Sequence, residues 1–148
     1  MTARSQARAT INGETRVTGL IGDPIGHSRS PAILNAAFAA TALNWVYLAF
    51  PVPAGAGAAA LQAVRTLGLA GVTVTMPHKS DAAAACDELT PVAAALGAVN
   101  VVTASAPNHP LGSPQLDVRL LGSSTDGEGF LRSVRDEGFE PGGRRALV

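Results

Sequence analysis

Val17-Thr18-Gly19-Leu20-Ile21-Gly22 runs directly into Asp23-Pro24-Ile25-Gly26 and, four residues on, into Ser30-Pro31 and an alanine-rich stretch. The first six residues are a short apolar run ending on glycine and read as a strand. Gly22 to Gly26 is turn chemistry. Ser30-Pro31 opens a helix, since serine suits the N-cap and proline the first helical position. Ile33, Leu34, Ala37, Phe38 and Ala42 then keep a helical period. The same unit recurs. Trp45 to Val52 is aromatic and β-branched and reads as a strand, and Ala56 to Leu67 as a helix closed by Gly68. Gly71 to Thr75 is a strand stopped by Pro77, and Ser80 caps a helix reaching Cys86. Thr90-Pro91 starts a helix that Gly97 ends, and Ala98 to Thr103 is a further strand. Ala104 to Gln115 is a polar loop. Leu116 to Leu121 alternates and pairs with the preceding strand as a hairpin, and Thr125 to Glu137 is a helix stopped by Gly138. Strands alternating with helices predict an α/β domain: a mostly parallel sheet flanked by helices in a three-layer sandwich, with a terminal β-hairpin.

Composition narrows the classes. The 148 residues suit about one domain, and 47% apolar with 15% charged excludes a disordered chain. Eleven basic and eleven acidic residues cancel, so no electrostatic footprint for nucleic acid or an anionic membrane is present. The one cysteine, Cys86, allows no intrachain disulfide, and zinc-type Cys/His spacings are lacking, so no metal is expected. Ser30 to Val64 carries no charge, but Asn35, Thr41 and Asn44 interrupt it and Pro51, Pro53, Gly55 and Gly57 break it. It reads as buried helix and strand, not as a membrane span. Residues 1–16 read as a flexible polar arm and 17–143 as the folded domain. Residues 144–148 (Arg-Arg-Ala-Leu-Val) read as the start of a further element of a longer protein.

In an α/β sheet, ligands sit beyond the carboxyl ends of the strands, and three polar segments fall there, after the first strand, after the third and before the last helix; a fourth candidate, Asn100, lies amid valines on a buried strand. Gly26-His27-Ser28-Arg29-Ser30-Pro31 sets two hydroxyls at a helix start, where free N–H groups favour an anion, although a plain capping serine needs no ligand. Thr73-Val74-Thr75-Met76-Pro77-His78-Lys79 brings Lys79 to the same edge. Its choice lies between a proton-transfer group and a solvated loop lysine. Asp126, in Ser123-Ser124-Thr125-Asp126-Gly127, is either a capping carboxylate or a partner for Lys79. Asn100, in Gly97-Ala98-Val99-Asn100, must satisfy its amide through backbone or a ligand hydroxyl.

Taken in order, these segments resemble the shikimate dehydrogenase family, specifically its N-terminal substrate-binding domain, over about Val17 to Phe139. The resemblance implies that Ser28 and Ser30 bind a substrate carboxylate, that Thr75 and Asn100 bind ring hydroxyls, and that Lys79 and Asp126 form the catalytic pair. It implies reduction of 3-dehydroshikimate to shikimate with NADPH, in cytoplasmic aromatic amino-acid biosynthesis. NADP would be held by a C-terminal domain beginning near Arg145, with no cofactor-binding residue in this chain, which alone would be inactive. The implied partners are the ring acid and that second domain; the oligomeric state stays open, a homodimer included. The family usually has asparagine where Thr73 and Ser124 stand, which leaves open a relative acting on quinate or using NAD. A non-catalytic ring-acid binding module is the alternative of another class. A phosphate site at His78-Lys79 lacks the glycine-rich loop it would need.

Overall fold

A computed structural model describes residues 11–105 and 118–145. In chain order the elements are β1 (Arg16–Gly22), α1 (Ser30–Ala40), β2 (Trp45–Pro51), α2 (Gly57–Thr66), β3 (Gly71–Val74), α3 (Lys79–Ala85), β4 (Glu88–Leu89), α4 (Pro91–Leu96), β5 (Val101–Ser105), β6 (Arg119–Ser123) and α5 (Asp126–Asp136). The strands form one sheet in the order β2-β1-β3-β5-β6-β4. β1 is parallel to β2 and β3, and β4 to β6; β5 runs antiparallel to β3 and β6. The sheet is therefore mixed. The expected hairpin, β5–β6, is present but lies inside the sheet, because the two-residue β4 takes the outer edge.

Strand alternation builds the layers. Leu20 joins Ile25 and Tyr47 under Leu34 and Phe38 of α1. The next residue, Ile21, points to the other face and packs with Val72, Val74, Val102 and Leu120 against Leu61 and Val64 of α2 and Ala82 of α3. The charge-free run thus supplies α1, β2 and most of α2. Among the described residues no helix is long and apolar enough to cross a membrane, and no cluster of metal-ligating side chains occurs.

Several local readings change. Ser30 is the first residue of α1, not its cap; Arg29 stands at the cap position without a side-chain bond, and the Ser30 N–H donates to Ser28 Oγ at 3.3 Å. The hydroxyl two residues back takes the free N–H, a serine turn in place of a cap. Ser80 also lies inside its helix. α3 begins at Lys79 because the His78 N–H closes a turn on the Thr75 carbonyl at 3.0 Å. Thr90 does cap α4, and Gly97 ends it with φ of 59°, a conformation few other residues tolerate. Of the supposed arm, Asn12 to Thr15 form a turn tied to Asn44, with Thr15 Oγ1 2.7 Å from Asn44 Oδ1, and Arg16 belongs to β1, its guanidinium over Trp45. Residues 1–10, 106–115 of the supposed loop, the first two residues of the expected strand from Leu116, and 146–148 of the supposed further element lie outside the described residues. Ala104 and Ser105 end β5.

Asp87 anchors the outer edge. Its carboxylate accepts the Leu120 N–H at 2.6 Å and pairs with Arg65 at 2.8 Å, and Arg65 also donates to the Val118 carbonyl. The Leu120 N–H first, and then Arg65, hold the Asp87 carboxyl below its ordinary value of 3.8. A depressed folded pKa gives stability that is full above the ordinary value and lost as pH falls through the folded one. We expect Asp87→Asn to lower stability at neutral pH and to flatten its decline below about pH 4. Denaturant titrations across that range check this, and parallel acid limbs for the two proteins would refute it.

Candidate functional site

Four loops meet at the carboxyl ends of β1 and β3, and backbone bonds join them in sequence. The Asp23 N–H, after β1, donates to the Met76 carbonyl, after β3, at 2.9 Å. The Val99 N–H donates to the Lys79 carbonyl at 2.9 Å, and the Val74 N–H to the Asn100 carbonyl at 2.8 Å. The Asn100 N–H donates to the Ser123 carbonyl at 3.0 Å. The three polar segments and Asn100, picked out from the sequence, are thus neighbours along one sheet edge. The antiparallel β5 makes this possible: it brings its amino end, not its carboxyl end, beside the end of β3.

Two groups of side chains result. Ser28, Ser30 and Thr75 line one open cleft of about 510 Å³, with Leu20, Ile25 and Met76 among its apolar walls. Beside the same β3–α3 loop, Lys79 Nζ donates to Asp126 Oδ2 at 2.6 Å, with the two side chains 35% and 55% exposed. An isolated pair this exposed contributes little to stability. Here the carboxylate is held on its other side too, because Asn100 Nδ2 donates to Asp126 Oδ1 at 2.7 Å. Asn100 also donates to Thr125 Oγ1 at 3.0 Å and accepts the Thr125 N–H at 2.9 Å, which ties it to the start of α5. Both hydrogens of its amide are committed, so Asn100 orients the carboxylate, and a ring hydroxyl would have to exchange for one of these contacts.

Sequence reasoning missed what two residues hold together. His78 is fully buried, with Nε2 2.8 Å from the Val52 carbonyl and Nδ1 3.2 Å from Asp81 Oδ2. It fixes the residue before Lys79 to the end of β2. Gly57 makes room for it, since a Cβ there would stand 2.8 Å from Nδ1 and 2.6 Å from the Asp81 carboxylate. The acid three residues beyond the histidine was the available signal. Tyr47 is the other: its hydroxyl bonds Thr73 Oγ1, one of the two positions that depart from the family pattern. An aromatic residue in a strand gives no hint of that.

A mixed sheet with an open cleft at its edge that combines hydroxyls with apolar walls, and an ion-paired amine that lies outside that cleft on the helix following the same loop, defines the class of small-ligand-binding α/β domains. Residues 20–102 match the family model of the shikimate dehydrogenase substrate-binding domain, and the chain belongs to that family. It is 46% identical over 138 residues to shikimate dehydrogenase (NADP(+)) of Rubrobacter xylanophilus, covering 93% of this chain and 45% of that protein. The chain therefore spans just under half the length of the curated relatives it matches. Among solved structures it resembles shikimate 5-dehydrogenase of Listeria monocytogenes in complex with shikimate and NAD. The TM-score is 0.73, with 36% identity and 95% and 43% of the two chains covered. It also resembles ligand-free 5-ketofructose reductase of a Gluconobacter strain, with TM-score 0.73, 25% identity and 90% and 44% coverage.

Proposed function

We propose that this chain is the substrate-binding and proton-transferring part of an NADP-dependent dehydrogenase that interconverts 3-dehydroshikimate and shikimate, a cytoplasmic biosynthetic step. The observation that carries this reading is the Lys79–Asp126 pair beside the cleft of Ser28, Ser30 and Thr75, on loops bonded to one another. In it, Ser28 and Ser30 donate to the ring carboxylate, Thr75 meets a ring hydroxyl, and Lys79 Nζ–H donates to the reacting oxygen, transferring its proton as charge develops there. Asp126 aims the amine, and Asn100 aims Asp126.

The turn after β1 presents the exposed carboxylate of Asp23 and then Pro24, which has no N–H, where a pyrophosphate needs open donors. The nicotinamide cofactor supplies the redox equivalent from a part of the protein beyond these residues. A second reading, a relative accepting quinate or NAD, draws on Thr73, whose hydroxyl is engaged by Tyr47. Turnover by the full-length protein of shikimate and quinate, each with NADP and NAD, decides between them. We expect shikimate with NADP to be preferred, and no turnover of either acid would overturn the proposal. Ser28→Ala with Ser30→Ala is expected to raise the Michaelis constant for the acid about tenfold or more, at nearly unchanged kcat. An unchanged constant would leave these serines only their role in the turn before α1.

A further inference from the structure

The ring of His78 is closed off from water, and both of its nitrogens face atoms that can only accept a hydrogen bond. Nε2 lies 2.8 Å from the Val52 carbonyl oxygen, just past the end of β2. Nδ1 lies 3.2 Å from Asp81 Oδ2, in the first turn of α3. A carbonyl oxygen and a carboxylate carry no hydrogen of their own. A neutral imidazole has one N–H, so either tautomer would set a ring lone pair against one of these oxygens. A ring with a hydrogen on each nitrogen serves both. His78 stands at the N-cap of α3, where a bare Nδ1 could accept a free helical N–H, but its side chain makes no such bond. A positive charge there opposes the helix dipole, and Asp81 offsets it. Among the described residues Asp81 is the ring's one ion-pair partner. On the other sides, α2 approaches with Gly57, the end of β2 offers a carbonyl, and Lys79 turns its ammonium to Asp126.

We propose that His78 is a positioning residue for Lys79 and acts as an imidazolium: its two N–H groups brace the start of α3 against the end of β2, with Asp81 as counter-ion. The proposal rests on the function proposed above, in which Lys79 transfers the proton. The two residues are consecutive, so the ring fixes the backbone from which the lysine stem rises. Val52 is itself held, since its N–H donates to the Gly22 carbonyl at the end of β1 at 3.0 Å. Asp81 ties the ring to the helix that Lys79 begins. A charged donor makes a stronger hydrogen bond than a neutral one, so the second hydrogen stiffens the mount. It also engages the carboxylate two residues from Lys79, and Asp126 is left as the partner of the amine.

The test is carried out on the full-length protein with isotopically labelled histidine, read by nitrogen NMR near neutral pH. The His78 signals are those that change in Asp81→Asn, a variant at a position 41% exposed, which the fold tolerates. In the parent both ring nitrogens should carry a hydrogen. In Asp81→Asn, whose carboxamide can donate to Nδ1, Nε2 alone should do so. One bare nitrogen in the parent, or a spectrum that Asp81→Asn leaves unchanged, would overturn the charge assignment. With shikimate as substrate, His78→Gln should lower kcat about tenfold and Asp81→Asn about threefold, each with the Michaelis constant within about twofold. In a His78→Gln background Asp81→Asn should add nothing. Gly57→Ala sets a Cβ 2.8 Å from Nδ1 and 2.6 Å from the Asp81 carboxylate, and should lower kcat in the same way from outside the cleft. A purely structural histidine would lower the melting temperature and leave kcat, measured well below it, unchanged, which would overturn the positioning role. A parent that turns over no ring acid overturns the function proposed above and the positioning role with it, and the nitrogen spectrum then decides the charge assignment by itself.

Discussion

Lys79→Ala in the full-length protein should lower kcat by about two to four orders of magnitude and change the Michaelis constant for the ring acid less than about fivefold. The amine sits at the first position of α3, one residue after a histidine locked between two elements, and its Nζ is 2.6 Å from Asp126. In the proposed role the amine donates to the reacting oxygen, a contact that matters as charge develops there and less in the bound ground state. Its removal leaves Ser28, Ser30 and Thr75 untouched, so the ligand should still bind. Lys79→Arg should not restore turnover, because a guanidinium keeps the charge but does not exchange its proton near neutral pH. Steady-state kinetics of both variants check this. A raised Michaelis constant at unchanged kcat would assign Lys79 to binding alone.

Leu120→Ala should cost about 2–5 kcal/mol of folding stability, while Leu121→Ala should change it by no more than about 0.5 kcal/mol. The two are neighbours on β6, one fully buried and the other 42% exposed. Leu120 belongs to the core shared with Leu61, Val64 and Val102, and its N–H is held by Asp87. Shortening its side chain opens a void in a packed layer, whereas Leu121 faces the less covered side of the sheet. Denaturant titration of the two variants measures the difference, and similar losses for both would mean that the exposed face of β6 is covered in the intact protein.

The layered plan was legible because its signals are local and repeated: glycine-closed apolar strands, cap-and-proline helix starts, and Gly68, Gly97 and Gly138 at helix ends. What failed was of two physical kinds. Some elements were too short for any pattern: Glu88–Leu89 is a strand only because β6 passes beside it. Others turned on a single hydrogen bond, as when Ser28 rather than Ser30 took the free N–H at the start of α1. The site was legible in its residues but not in their connections. Lys79 and Asp126 stand 47 positions apart, and nothing in spacing pairs them; only the ordered set of motifs did so. Asn100 was read as a ligand group, and its commitment to Asp126 depends on where α5 starts. His78 and Tyr47 act through contacts made across the sheet, which no local window contains.

The two partners of the ion pair are mounted very differently. Lys79 grows from a wall fixed by His78, whereas Asp126 begins α5, a helix with no buried residue, secured at its root by Asn100. Regions with few buried contacts open at lower free energy than the core. The carboxylate's place in the pair thus hangs on one amide, that of Asn100, while the amine's is set by the packed layer behind it.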